Sequence, residues 1–149
     1  MSNLLVQTIK HTNNTSAQTI DTSGRTTAVL NNDTTYRSDA GAVTQNMVQG
    51  LAKGWIRFNG ESTVAINDSL NMSSLSDNDN GYYSPNYTNN FNSGNTSITI
   101  CSDRDSSNHR LTHHFLSSAT NTNTIYMVNK DNSNTDADKV AESIHGDLA

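Results

Sequence analysis

Residues 54–83, GWIRFNGESTVAINDSLNMSSLSDNDNGYY, decide the fold class of this chain. Trp55 and Phe58 are large apolar anchors in a short run, and Asn59-Gly60 turns readily because glycine takes a positive φ without a Cβ clash. After the turn, Val64 and Ile66 stand two residues apart, which puts both on one side of a strand. The stretch reads as a β-hairpin that opens a small core, with Trp55, Phe58, Val64 and Ile66 as its first members.

Toward the C-terminus the pattern repeats. Short strand-like runs at 55–58, 62–66, 70–75, 82–91 with a break at Pro85, 96–101, 110–116, 124–128 and 139–144 alternate with Asn-, Asp- and Ser-rich segments at 76–81, 92–95, 102–109 and 129–136. Eight short strands at this spacing predict a mainly β fold, an antiparallel β-sandwich of jelly-roll-like type over 54–149.

Toward the N-terminus the pattern changes. Residues 38–53 hold one helical signal: Ser38 or Asp39 suits the N-cap, Val43, Met47, Val48 and Leu51 share a face, and Gly54 suits the stop. That stripe is shorter than the about 3–4 heptads of an independent coiled coil, so the helix either packs on its own domain or bundles with copies that a folded domain holds together. Upstream, Leu4, Val6 and Ile9 mark a short strand or extended arm. Ile20 lies in a strand that runs into Gly24 and returns over 26–30. A hairpin this small is marginal without a surface to lie on. The expected order is an anchoring arm (1–37), whose apolar contacts are Leu4, Val6, Ile9 and Ile20, then a helical linker (38–53), then the β-domain.

Composition bounds the function. Only 32% of the 149 residues are hydrophobic, while Asn, Ser and Thr supply 60 of them, so the private core is expected to be thin, with copies of the chain or a partner supplying further burial. Charged residues are 15%, which is not the high-charge signature of disorder. A net charge of −5 without a Lys/Arg cluster leaves no footprint for phosphates, and nucleic acid is not an expected partner. Neither a signal peptide nor an apolar run of about 18 residues is seen, so the expected product is made in a cytoplasm and has no membrane partner. Asn-x-Ser/Thr sequons such as those at Asn86 and Asn95 then reflect composition.

The 54–83 stretch resembles the opening of a domain found in many marine phage tail-fibre and minor structural proteins. There an AW-(apolar)-x-F-(N/D)-G element precedes T-V-A-I, then S-x-N-(apolar)-S-S-(apolar)-(S/T)-D and G-x-Y. Matching positions are Trp55, Phe58, Asn59, Gly60, Thr63, Val64, Ala65, Ile66, Ser69, Asn71, Ser73, Ser74, Leu75, Asp77, Gly81 and Tyr83. The N-terminal NLLVQTIKHTNN and TIDTSGR segments and Asp136-Ala137-Asp138-Lys139-Val140 are similar to the family's ends. The resemblance implies a virion protein, partnered by other tail or capsid proteins and commonly a homotrimer. A short fibre with an outward β-domain is the expected form; a capsid decoration or tail adaptor protein is an alternative.

Chemical candidates are few. His113 and His114, adjacent on a strand, point to opposite faces and cannot share one metal. His109, Asp103 and Asp105 have no ligand spacing, and Cys101 reads as a small hydrophobe at a strand end. Asp77-Asn78-Asp79-Asn80-Gly81 lacks the Glu of a calcium loop, since position 87 is Tyr, and reads as a turn. No catalytic residue, metal or cofactor is expected, and no enzyme. The rival of another class is a carbohydrate-binding host-receptor module in which Tyr82, Tyr83 and Tyr87 contact a glycan.

Overall fold

Polar, β-branched segments pair near the N-terminus: β1 (Thr8–Lys10), β2 (Ser16–Ile20) and β3 (Thr26–Ala28) form a three-stranded antiparallel sheet. The β2–β3 hairpin turns at Gly24, φ 77°, and Asp21 holds the turn by accepting from the N–H groups of Ser23 and Arg25 at 2.8 and 2.9 Å. Hydrogen bonds from Arg25 keep the Asp21 carboxyl below its usual range. Next, β4 (Thr35–Arg37) pairs with β5 (Thr44–Asn46), where Tyr36 Oη donates to Gln45 Oε1 at 2.7 Å. This computed structural model describes residues 8–10, 16–28, 30, 34–37, 44–103 and 112–149, and the chain divides into two units, Met1–Val48 and Gln49–Ala149.

One N-terminal expectation changes. Of the helix expected over 38–53, residues 38–43 lie outside the described residues, and the described part holds a strand, β5, followed by one turn of helix, α1 (Met47–Gly50). Gly41 and Gly50 each weaken a helix by about 1 kcal/mol, and pairing with β4 takes the backbone groups that a helix would need. Met47, Val48 and Leu51 thus form no helical stripe, and Val43 lies outside the described residues. The boundary between the two units falls at 48/49, inside the stretch expected as a linker. Ile9 and Ile20 stand in paired strands, β1 and β2, in keeping with the short strand and the hairpin expected there; Leu4 and Val6 lie outside the described residues.

Among its described residues the second unit has eight strands: β6 (Gly54–Asn59), β7 (Ala65–Leu70), β8 (Met72–Asp79), β9 (Tyr82–Tyr87), β10 (Ser97–Ser102), β11 (Thr112–Ser118), β12 (Asn123–Val128) and β13 (Val140–His145). They form two antiparallel four-stranded sheets, ordered β10-β13-β6-β7 and β11-β12-β9-β8. Ile56, Phe58 and Val140 of the first sheet meet Tyr83, Ile125 and Met127 of the second in one core, and Tyr87, Phe91 and Ile144 make a smaller cluster beside it. Full burial of such side chains stabilises by about 1.5–3 kcal/mol each.

Strand parity corrects the expected core. In β6 the buried positions are Gly54, Ile56 and Phe58, so Trp55 faces outward and is only half-buried. Trp55 and Phe58 are three residues apart and cannot share a face of a regular strand. Val64 packs against the core, whereas Ile66, on edge strand β7, keeps 37% of its surface exposed. In β9 it is Tyr83, Pro85 and Tyr87 that point inward.

Pro85 does not break β9. The strand runs on through it, and what stops is the ladder to β12, which resumes only as a bridge between Asn86 and Thr122. Lacking an N–H, Pro85 still accepts from Thr122 Oγ1 at 2.7 Å. Likewise the loop expected over 76–81 is mostly strand, and the turn is confined to Asn80-Gly81, with Gly81 at φ 67°.

Candidate functional site

Three short segments, at Phe58–Gly60, Gly81–Tyr83 and Asp136–Ala137, converge on one contact. Phe58 and Tyr83 stack edge-on with ring centroids 5.1 Å apart. The Tyr83 hydroxyl donates to Asp136 Oδ1 at 2.6 Å, with the Gly60 carbonyl at 2.9 Å as a second acceptor. Asp136 Oδ1 also accepts from Gly81 N at 2.7 Å, and Gly60 N donates to the Ala137 carbonyl at 2.9 Å. Gly60 is needed here for closeness rather than for a positive φ: a Cβ would stand 2.5 Å from Tyr83 Oη and 2.9 Å from the Ala137 oxygen. Burial first, then the bond to Asp136, push the Tyr83 hydroxyl well above its usual pKa, so it holds its proton and acts as a clamp.

A second polar chain crosses the core. Tyr87 Oη donates to Asn123 Oδ1 at 2.8 Å, and Asn123 Nδ2 donates to Glu142 Oε1 at 2.6 Å. Burial pushes the Glu142 carboxyl up to about 7, against the lowering effect of the Asn123 bond, and Tyr87 is raised by burial and by the neighbouring Glu142.

The outer side of the first sheet carries two clefts of about 260 Å³ each. One is lined by Arg57, Cys101, Ser102, Asp103, Lys139 and Ala141; Lys139 bridges Asp138 and Asp103 at 3.0 and 3.1 Å, which raises its pKa. The other is polar, lined by Gln49, Ser93, Asn95, Ser97, His145 and Asp147, with Gln49 Nε2 3.4 Å from both Asp147 carboxylate oxygens. Its rim is held by Asn92 N donating to the Asp147 carbonyl at 2.7 Å and by the Phe91–Leu148 bridge. Trp55 pairs with Ser143, two residues before His145, so the register puts Trp55 and His145 on the same outward face.

The sequence candidates scatter. Tyr83 and Tyr87 are buried in separate clusters, so the expected three-tyrosine glycan surface does not form; Tyr82 alone is partly open, stacked edge-on with Tyr126 at 5.2 Å. Cys101 is exposed rather than a buried hydrophobe. His113 and His114 occupy register positions opposite Met127 and Tyr126, while Asp105 and His109 lie outside the described residues. Among the described residues no three His, Cys, Asp or Glu group to hold a metal, and no helix is long and apolar enough to cross a membrane. Sequence reasoning missed Asn123 and Glu142, although Val140-Ala141-Glu142-Ser143-Ile144 carries the signal: period-two alternation puts Glu142 on the apolar side.

No family model, curated protein or solved structure matches this chain.

Proposed function

We propose that the chain is a structural component of a bacteriophage virion, a short fibre or appendage protein that assembles as a homotrimer, docks through its N-terminal unit and displays the 49–149 unit. The observation that carries this reading is the clamp: Phe58, Gly60, Gly81, Tyr83 and Asp136, positions on which the resemblance to fibre domains stands, are one interlocked contact and not a scatter of common residues. Two four-stranded sheets sharing a core suit a β-sandwich. The β6–β7, β8–β9 and β11–β12 hairpins each stay within one sheet, which favours a simpler connectivity than a jelly roll. Exposed Leu51, Ile66 and Leu70 offer apolar area for neighbouring copies.

Immunogold labelling and mass spectrometry of purified particles test the assignment; a chain absent from particles is not a virion component. Native mass spectrometry giving a folded monomer at micromolar concentration rejects the trimer. Deleting residues 2–25 should abolish incorporation while the 49–149 unit stays folded, and undiminished incorporation would move the anchor into that unit.

The polar cleft, whose His145 shares an outward face with Trp55, favours a second reading, a module that binds neutral glycans. Hydroxyl groups suit the Gln49, Asn95 and Asp147 side chains, and an indole suits the apolar face of a sugar. Trp55 is the chain's only tryptophan, so its emission reports on this face. Emission unchanged by neutral mono- and oligosaccharides, with no saturation transfer to them, would end this reading.

A further inference from the structure

We propose that Glu142 is a proton-operated latch between the two sheets: protonated, it closes the Tyr87–Asn123–Glu142 chain across the core, and loss of that proton loosens the 49–149 unit. Glu142 belongs to β13 in one sheet, whereas Asn123 and Tyr87 belong to β12 and β9 in the other, so this chain of hydrogen bonds spans the interface. Glu142 is 3% exposed and Asn123 fully buried, and Glu142 Oε2 is a buried oxygen with no hydrogen-bond partner.

A carboxylate so placed has one donor, Asn123 Nδ2, to replace its water shell. Burying the neutral acid costs far less than burying the charge. Among the described residues packed around Glu142 no cation faces it. Its neighbours in register are Ile100 of β10 and Ile56 of β6, the same inward faces carry Ile98, Phe58 and Ile144, and β12 and β9 contribute Ile125 and Tyr83 besides the chain itself. Among the described residues facing it, Tyr87 is the titratable group in the chain, and it too is neutral near pH 7. On β11, His113 stands opposite Met127, four residues along β12 from Asn123.

The sign follows from comparing the two states. Unfolded, Glu142 ionises near its ordinary 4.5; folded, it keeps its proton to about 7. Its stabilising contribution is therefore fully present below 4.5 and is lost as pH rises through about 7. Within that window the unfolding equilibrium constant should rise roughly tenfold per pH unit from this group alone.

Urea denaturation of the full chain from pH 4.5 to 9, followed by Trp55 emission, measures this loss. Glu142→Gln keeps an oxygen to accept from Asn123 and cannot ionise, so it should flatten the slope above pH 4.5; parallel profiles for the two proteins would overturn the proposal. Carbon-13 NMR of the wild-type carboxyl needs no variant: a Glu142 midpoint near 7 supports the latch, and one near 4.5 rejects it. Particle labelling, which tests the virion reading, is untouched by either result.

Discussion

The two units of the chain use the same vocabulary of Thr, Asn and Ser, and both form antiparallel strands, yet they are held differently. In the N-terminal unit β3 and β4 are exposed at every position, and the turn at Asp21 is fastened by surface hydrogen bonds. In the 49–149 unit β6, β9 and β13 bury alternate residues, and the two sheets close over them. Strand propensity is thus enough to pair backbones but not to build a core. A core needs apolar groups at period two on strands that face each other.

The largest effect that would break this comparison is expected at Phe58. Phe58→Ala should destabilise the second unit by about 3–5 kcal/mol, whereas Tyr36→Ala, at a position 44% exposed, should leave its midpoint unchanged. Urea titration followed by Trp55 emission reads the second unit alone, and equal losses would mean that the units are not energetically distinct. Within β6 the same logic sets Ile56→Ala, expected to cost about 2–5 kcal/mol, against Trp55→Ala, expected to cost under about 2 kcal/mol. Circular dichroism during denaturation compares them, and a costlier Trp55→Ala would contradict the inward facing of Ile56.

The clamp gives a finer test. Asp136→Ala strips the acceptor shared by Tyr83 Oη and Gly81 N and should cost about 1–3 kcal/mol, and Gly60→Ala a similar amount through overpacking against Tyr83. Gly24→Ala should cost about 1 kcal/mol and only in the first unit, since its φ is positive and nothing lies within 4 Å of the added methyl. The smallest free energies belong to local opening: amides of Thr19 and Thr27 should exchange with deuterium well before those of Ile56 and Tyr83.

Strand positions were legible because turn residues punctuate apolar runs. The eight expected segments of the second unit each overlap an observed strand, and the Gly24 hairpin stands where it was expected. The helical signal fails over 44–46 because four apolar residues at helical spacing, with Gly50 among them and Gly41 just before, compete poorly with a strand partner at 35–37. Facing was the weaker inference. Size drew Trp55 and Phe58 into one core, although parity joins Phe58 to Ile56, and aromatic character drew Tyr83 and Tyr87 to the surface, although both point inward.

By itself the sequence determined a mainly β chain, the places of its turns and the thinness of its apolar content, all of which are local or additive properties of residues. Only the tertiary structure decided which side of each strand is inside, that Asp136 meets Tyr83 across 53 residues, and that Glu142 shares a buried bond with Asn123. Those outcomes depend on the register between strands distant in sequence, and on bulges such as the one at Arg57/Phe58 that shift it. A one-residue slip of register turns every side chain to the other face, so the sites of a β protein are decided where strands meet.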